Sequence, residues 1–259
     1  MLIPSPRHTR ADLEHWRRCE ALDREYLKRC GARLDRLTVE AVRVIEAFAA
    51  EGPCYVGCSW GKDSTVLAHL ASLASPSAPV IWFPAGAVEN PDCALVRDAF
   101  IARFSVEYRE IEAAELVWTD GEHDGAQAAF VRASRAVAPR YISGVRAEES
   151  GVRELTMRRN GTASAATCRP IGWWTGADVF AYLARHDLPI HPAYACTMAG
   201  AYDRDRVRVG TIGGRCGTGR GRAEWERRYY PQQITARRPV GEDVDGQIAA
   251  VLDRVKAQD

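Results

Sequence analysis

The sequence predicts an α/β protein with a doubly wound, mostly parallel five-stranded sheet, preceded by N-terminal helices and followed by an arginine-rich C-terminal extension. Two observations predict this class. Apolar runs of strand length alternate with helical stripes along the middle of the chain, and parallel strands joined by helical crossovers produce that alternation. The 259 residues are also 46% hydrophobic, which suffices for the core of one large domain.

Three parts are predicted along the chain. A helical segment covers residues 1–50, because apolar residues recur at helical spacing from residue 11 to residue 49. An α/β domain covers residues 51–200, and an arginine-rich extension ending in a helix covers residues 201–259. The strands of the middle part are predicted at Cys54–Cys58, Val80–Phe83, Val106–Ile111 and Arg140–Val145. Its helices are predicted after Asp63, over Asp92–Arg103 and Gly125–Val137, and from Thr175 to about His186.

Composition excludes several classes of protein. Because nowhere do about eighteen apolar residues run together, we expect no membrane partner. No apolar region follows Arg7 near the start, so nothing there resembles a secretory signal. We therefore predict a cytoplasmic protein. Its eight cysteines are then not expected to form a disulfide framework, since the cytosol is reducing.

The segment Ser59-Trp60-Gly61-Lys62-Asp63-Ser64 lies between a predicted strand and a predicted helix. Such a turn aims several backbone amides at one anion, and the helix N-terminus adds roughly half a positive charge. Lys62 can neutralise phosphate oxygens, and Ser59 and Ser64 can donate hydrogen bonds to them. Asp63 can cap the helix or help to hold Mg²⁺. The segment is therefore a candidate phosphate-binding loop.

This loop resembles the S-G-G-x-D-S signature of the PP-loop ATP pyrophosphatases. The resemblance implies an adenine-nucleotide α-hydrolase-like sheet, ATP with Mg²⁺ at Ser59 to Ser64, and cleavage between the α and β phosphates with Lys62 and Asp63 as catalytic residues. Trp60 departs from the family, which usually has glycine there. If the position needs a positive φ, tryptophan is strained; if it only lies close to the ligand, the indole forms a wall of the site.

Two further segments resemble the phosphoadenosine-phosphosulfate (PAPS) reductase branch of this superfamily. Gly144-Val145-Arg146-Ala147-Glu148-Glu149-Ser150, with Arg153 three residues later, is similar to its G-x-R-x-x-E-S-x-x-R segment. The similarity implies that Gly144, Arg146, Glu149 and Arg153 contribute to nucleotide binding, and guanidinium groups suit phosphate or sulfate. The run from Arg169-Pro170-Ile171 through Trp174-Thr175 to Tyr194 is similar to the R-P-I-x-x-W-T region, which we interpret as mainly structural.

Three cysteines lie near the predicted carboxyl ends of the strands, namely Cys168, Cys196 and Cys216. Three thiolates can hold a [4Fe–4S] cluster with one iron open for sulfide, an arrangement that resembles the sulfur-inserting PP-loop enzymes. Alternatively, one of these three cysteines carries a persulfide, because nearby arginines lower the pKa of a thiol. For sulfur delivery, Cys168 is the first choice, with or without Cys196 and Cys216. Since there is no C-x-x-C motif, buried cysteines without a chemical role are the remaining interpretation.

The C-terminal part is rich in arginine, with ten arginines and three acidic residues between Arg204 and Arg238. Aromatic residues are interleaved with them, which suits a phosphate backbone with exposed bases. A solvated surface and a protein-docking surface are alternatives. The combination resembles the ATP-pyrophosphatase subunit of DNA phosphorothioation systems, so nucleic acid and a cysteine desulfurase are the predicted partners. The oligomeric state is left open.

The predicted reaction is ATP-dependent adenylation of an acceptor, either DNA or RNA, for sulfur transfer. The first alternative is an enzyme of the PAPS or APS reductase type, or of the sulfate adenylyltransferase type, acting on a small nucleotide. Thioredoxin-linked PAPS reductases carry a C-terminal catalytic cysteine, and residues 237–259 contain none. This argues against a PAPS reductase of that type but leaves the sulfate adenylyltransferase type open. The second alternative is a nucleotide-binding subunit without turnover.

Overall fold

A computed structural model describes residues 1–84, 86, 89–111, 134–213 and 221–235. The chain divides into two compact units, Met1–Thr211 and Ile212–Asp259. Most of the helix predicted over Gly125–Val137 and all of the predicted terminal helix lie outside the described residues; residues 134–137 are helical.

The first unit contains a five-stranded sheet in which every strand pair is parallel. The strands are β1 (Cys54–Gly57), β2 (Val80–Trp82), β3 (Tyr108–Glu110), β4 (Arg140–Ile142) and β5 (Thr167–Cys168). Their order across the sheet is β3-β2-β1-β4-β5. The predicted α/β class with a parallel five-stranded sheet is therefore confirmed. Residues of β1, β2 and β4 are mostly buried, as expected for a parallel sheet that is covered on its faces.

The N-terminal part is one continuous helix, α1 (Arg10–Ala50), rather than several. Thr9 and Asp12 form a capping box at its start, which fixes where the helix begins. No proline interrupts it. Gly31 lies in the middle of the helix, and its carbonyl oxygen lies 3.5 Å from Arg185 Nη2. Trp16, Leu34, Ile45 and Phe48 are among its buried residues.

Four shorter helices complete the described secondary structure of the first unit, apart from 3₁₀ turns and residues 134–137. They are α2 (Lys62–Ala74), α3 (Cys93–Ile101), α4 (Gly151–Asn160) and α5 (Gly176–Arg185). Thr175 and Asp178 cap α5 in the predicted capping box. Helix α5 packs against α1 and α2, where Trp16 meets Phe180 edge to face at 6.2 Å between ring centroids.

The sequence pattern did not locate β5 or α4. Strand β5 has two residues, which is too short for an alternating pattern to be recognised. Helix α4 buries only Met157 among its residues, so it lacks the apolar stripe that marks a helix in a sequence.

The second unit contains α6 (Arg222–Tyr229) and α7 (Pro231–Thr235). Within α6, Arg222 Nε lies 2.7 Å from Glu226 Oε1, and its guanidinium stacks 4.5 Å from the Trp225 ring centroid. Among the described residues, no helix is both long enough and apolar enough to cross a membrane.

A buried histidine at the interface of α2 and α5 predicts a pH-dependent stability. His69 Nδ1 lies 2.8 Å from Tyr182 Oη, and burial lowers the pKa of His69 from 6.5 to about 4, with His186 and Arg103 adding to the effect. The unfolded chain therefore binds a proton that the folded protein does not. This contribution to stability is complete above pH 6.5 and is lost as the pH falls towards 4, by about 3 kcal/mol.

Replacing His69→Gln removes the titrating group and should flatten this dependence. Urea unfolding of both proteins at about pH 7 and pH 4.5 measures it. The wild-type protein should lose more unfolding free energy between the two pH values than the variant. Equal losses would contradict the assignment.

Candidate functional site

The candidate loop lies where the order of the sheet reverses. Strand β1 is flanked by β2 on one side and by β4 on the other, and the chain continues from β1 through α2 to β2. In parallel α/β sheets, ligands bind in the crevice at the carboxyl ends of the strands at such a reversal. The segment that follows β1 and the segment that follows β4 therefore meet at this edge, as their sequence matches predict.

Hydrogen bonds within the loop hold it at the start of α2. Gly61 is the N-cap residue, with a φ of −76° and no capping side chain. Ser64 Oγ donates to Gly61 O at 3.1 Å and accepts from Ser59 N at 3.2 Å. Because the first amides of a helix have no intrahelical acceptor, this end is suited to an anion.

Gly144 allows the two segments to approach each other closely. A Cβ atom at this position would lie 3.2 Å from the carbonyl carbon and oxygen of Asp63 and 3.3 Å from Ser64 N. Backbone atoms cannot move aside as a flexible side chain can. Gly144 is thus needed for the segment that follows β4 to pack on the first turn of α2.

Trp60 has a φ of 58°, so its backbone is in the left-handed conformation. Of the two alternatives considered for this position, the strained one is therefore present. Its ring does not form an exposed wall; it is fully buried, 5.6 Å from the Phe100 ring and 5.8 Å from the Tyr108 ring. The backbone strain costs about 1–2 kcal/mol, whereas burial of so large a side chain contributes more. The loop therefore keeps a glycine-like backbone while the indole joins the core.

Charged side chains from both segments converge on Asp63. Lys62 Nζ lies 3.0 Å from Asp63 Oδ2, and Arg146 Nε lies 2.6 Å from Asp63 Oδ1. Lys62 Nζ also approaches the backbone oxygen of Asp205 at 3.5 Å. Lys62 and Arg146 are both buried. Two cations and one carboxylate therefore meet at the N-terminus of α2.

The Arg146 guanidinium is held from several sides. Its Nη1 donates to Glu148 Oε2 at 2.6 Å and to Trp174 O at 3.1 Å, and Glu148 Oε2 also accepts from Gly176 N at 2.6 Å. Burial alone would lower the pKa of Arg146, but Asp63 and Glu148 raise it, so the group stays charged.

Glu149 and Arg153 stand beside this network and orient the backbone. Glu149 Oε2 accepts from Arg146 N at 2.9 Å and forms an ion pair with Arg153. Ser150 caps α4 by accepting from Arg153 N. The structure thus brings together the loop, Gly144, Arg146, Glu149 and Arg153.

Cys168 lies at the carboxyl end of the sheet, next to the backbone of the segment that follows β4. It is the last residue of β5, in register with Ile142 of β4, and its carbonyl oxygen accepts from Ser143 N at 2.8 Å. Its side chain is buried. Burial raises the pKa of Cys168 to about 12, while Arg140 and Arg169 lower it by less. The lowered pKa expected for a thiol beside arginines is therefore not found at Cys168.

Cys196 is also buried, and its electrostatic neighbours are Asp12, Asp92 and Arg7, none of which neighbours Cys168. Burial raises its pKa as well. Cys216 lies outside the described residues. Within the described ranges, no three His, Cys, Asp or Glu side chains are grouped as metal ligands. Because one of its three predicted ligands is not described, the iron–sulfur site stays a prediction.

Two arginines of the predicted cationic surface are engaged inside their own units. Arg204 is paired with both carboxylate oxygens of Asp23 and lies 3.9 Å from the Phe180 ring centroid. Arg222 is paired with Glu226. These two guanidinium groups support the fold. Arg215, Arg220, Arg237 and Arg238 lie outside the described residues.

Three contributors to the site are not evident from the sequence. Glu148 accepts hydrogen bonds from Arg146 and Gly176. Tyr194 Oη accepts from Lys62 N at 2.9 Å. Trp173 is 48% exposed. Both of its neighbours in the chain contact the site segment: Gly172 O accepts from Ala147 N, and Trp174 O accepts from Arg146 Nη1. Each of the three lies within a matched segment, and this was its only signal in the sequence.

The fold and the converging charges define an α/β protein with a candidate anion-binding loop at the reversal point of a parallel sheet. A family model described as the phosphoadenosine phosphosulfate reductase domain matches residues 53–213, more than half of the chain. The chain therefore belongs to the PAPS reductase domain family, within the PP-loop superfamily. The resemblance read from the loop and its two companion segments is confirmed at this level.

Several characterised proteins are similar to this chain. A PAPS reductase from Synechococcus is 28% identical over 178 residues, covering 60% of this chain and 75% of the relative. One from Xanthomonas axonopodis pv. citri is 28% identical over 156 residues, covering 52% and 64%. Among solved structures, the Candida auris PAPS reductase in a phosphate complex has a TM-score of 0.44 at 13% identity, covering 61% of this chain and 87% of that one. The U34-tRNA thiolase NcsA from Methanococcus maripaludis, with its [4Fe-4S] cluster, has 0.46 at 12% identity, covering 78% and 76%.

The opposing effects of backbone strain and side-chain burial at Trp60 predict what a glycine at this position would do. Trp60→Gly relieves backbone strain of about 1–2 kcal/mol but removes a buried side chain whose loss costs about 3–5 kcal/mol. Chemical denaturation should therefore show a net loss of about 2 kcal/mol, with nucleotide affinity retained. Trp173→Gly makes the same change at a half-exposed site and should cost less. A Trp60→Gly protein as stable as the wild type would contradict this balance.

Proposed function

We propose that the chain binds ATP at residues 59–64 and cleaves it between the α and β phosphates to adenylate an acceptor for sulfur transfer. One observation carries the proposal: Lys62 and Arg146, from two segments, meet at Asp63 on the N-terminus of α2. Family membership supports a sulfur-related nucleotide enzyme. The resemblance of the loop to the PP-loop signature supports ATP and the bond that is cleaved.

The residues of the site have distinct roles in this reaction. An acceptor oxygen attacks the α phosphorus, the bond to the bridging oxygen breaks, and pyrophosphate leaves with the electron pair. Lys62 and the first amides of α2 stabilise the charge that develops on pyrophosphate. Arg146 exchanges part of its contact with Asp63 for a phosphate oxygen, since guanidinium binds phosphate with strong charge-assisted hydrogen bonds. A sulfur nucleophile then displaces AMP from the acceptor.

Mg²⁺ fits this site as a partner of the nucleotide. The Asp63 carboxylate and the hydroxyl groups of Ser59 and Ser64 supply the oxygen ligands that Mg²⁺ prefers, and this ion usually binds through one or two carboxylates together with phosphate oxygens. Bound Mg²⁺ would neutralise phosphate charge. If phosphate oxygens replaced Asp63 as the partner of Lys62 and Arg146, the Asp63 carboxylate would be free to bind Mg²⁺.

The acceptor that we propose is a nucleic acid. In the first unit, Trp173 offers an exposed indole next to residues that hold Arg146, and aromatic side chains stack well on unpaired bases. In the second unit, Arg227 and Arg228 are exposed on α6, and such cations suit a phosphate backbone. A cysteine desulfurase as sulfur donor remains part of this proposal.

The family relatives favour a second candidate, an enzyme that acts on PAPS or a related small nucleotide. Relatives at 28% identity are named PAPS reductases. The same loop and Arg146 would then hold a sulfonucleotide. A subunit that binds nucleotide without turnover is the third candidate.

A substrate panel separates these candidates. The purified protein is incubated anaerobically with ATP and Mg²⁺, alone and with single-stranded DNA, duplex DNA or tRNA, and AMP and pyrophosphate are measured. Parallel samples contain PAPS with reduced thioredoxin, and sulfite is measured. Pyrophosphate release that requires a nucleic acid supports our proposal, whereas sulfite release supports the second candidate. Nucleotide binding with neither product identifies the third.

Removal of either cation should strongly slow the reaction. Because both side chains are buried, circular dichroism is used to check that each variant is folded. Lys62→Ala and Arg146→Ala should each lower kcat by about a hundredfold or more, because preorganised charge at the leaving group is lost. Lys28→Ala, an exposed position on α1, provides the control and should retain full activity. Pyrophosphate release with full kcat in the Lys62→Ala protein would contradict the proposed role.

A further inference from the structure

Tyr194 lies directly behind the phosphate-binding loop. It ends a 3₁₀ turn, Pro192–Tyr194, and is 2% exposed. Its ring packs edge to face on Phe180 at 5.6 Å between centroids, and Lys62 Nζ lies 5.4 Å from the ring centroid. The position is therefore rigid and set by the core.

The Tyr194 hydroxyl is aimed at the first turn of α2. Its Oη accepts from Lys62 N at 2.9 Å. A Cβ atom on Gly61 would lie 3.2 Å from the same oxygen. The oxygen thus occupies the end of the helix where the backbone amides attract anions.

The hydrogen of this hydroxyl has no acceptor among the described side chains and backbone groups. A phenol both donates and accepts, and here only its accepting role is used. An unused donor in a buried position is costly, so a ligand acceptor explains it better than packing does. Burial raises the pKa of Tyr194 well above its ordinary value, so the hydrogen is retained at neutral pH.

We infer that Tyr194 donates its hydroxyl hydrogen to a phosphate oxygen of the bound nucleotide and is a further phosphate-binding residue. The inference rests on the proposed function and deepens it. The hydrogen bond from Lys62 N polarises the phenol and strengthens it as a donor.

Titration calorimetry with inorganic pyrophosphate, and separately with ATP and Mg²⁺, tests the inference. Tyr194→Phe keeps the ring and removes the hydroxyl, and should weaken both affinities about tenfold, the effect of one hydrogen bond to a charged group. Tyr182→Phe is the matched control, because Tyr182 is equally buried but bonds His69. It should leave both affinities unchanged. Circular dichroism and thermal unfolding confirm that each variant is folded.

The outcomes separate this inference from the proposed function. If the wild-type protein binds neither pyrophosphate nor ATP, the proposed function fails and the inference fails with it. If the wild type binds them and Tyr194→Phe binds equally well or more tightly, the inference alone is overturned.

If the Tyr194→Phe variant does not fold, a measurement on the wild-type protein still tests the inference. Ultraviolet resonance Raman difference spectra, recorded with and without pyrophosphate, report whether a tyrosine hydroxyl gains an acceptor. We expect one tyrosine hydroxyl that only accepts a hydrogen bond in the free protein to both accept and donate one when pyrophosphate is bound. An unchanged tyrosine signal at saturating pyrophosphate would overturn the inference.

Discussion

The contact between Arg146 and Asp63 is the interaction on which the rest of the site depends. It joins two segments that are 83 residues apart in the chain, and each follows a strand in the centre of the sheet. The contact is possible because Gly144 has no side chain: a Cβ atom there would lie 3.2 Å from the carbonyl carbon and oxygen of Asp63. Glu148 and the carbonyl of Trp174 then fix the guanidinium. Without this junction, the loop after β1 would stand alone.

Asp63 acts as an internal counter-ion in this arrangement. Two buried cations without a partner would be costly, and the carboxylate compensates them. A polyphosphate carries more negative charge than one carboxylate and can replace it. The same contacts that stabilise the folded protein therefore prepare the site for a phosphate ligand.

The parts predicted from the sequence are those in which local chemistry decides the structure. The strand, loop and helix around Lys62 and the capping box at Thr175 were predicted because local sequence signals mark them, namely an apolar run, a glycine-bearing turn and capping residues. Tyr194 was not, since its role arises from a tertiary contact 132 residues away in the chain. The burial of the Trp60 indole also depends on distant residues, Phe100 and Tyr108. The reactive role of Cys168 stays a prediction, whereas its burial in β5, which raises the pKa of the thiol, depends on tertiary packing.

The most direct test of the account is a crystal structure with Mg²⁺ and a non-hydrolysable α,β-methylene analogue of ATP. The account predicts that the phosphates lie at the N-terminus of α2, with Lys62 Nζ and the Arg146 guanidinium in hydrogen-bond contact with phosphate oxygens and Asp63 at least partly released. Phosphates bound elsewhere, with Lys62 and Arg146 still paired to Asp63, would contradict it.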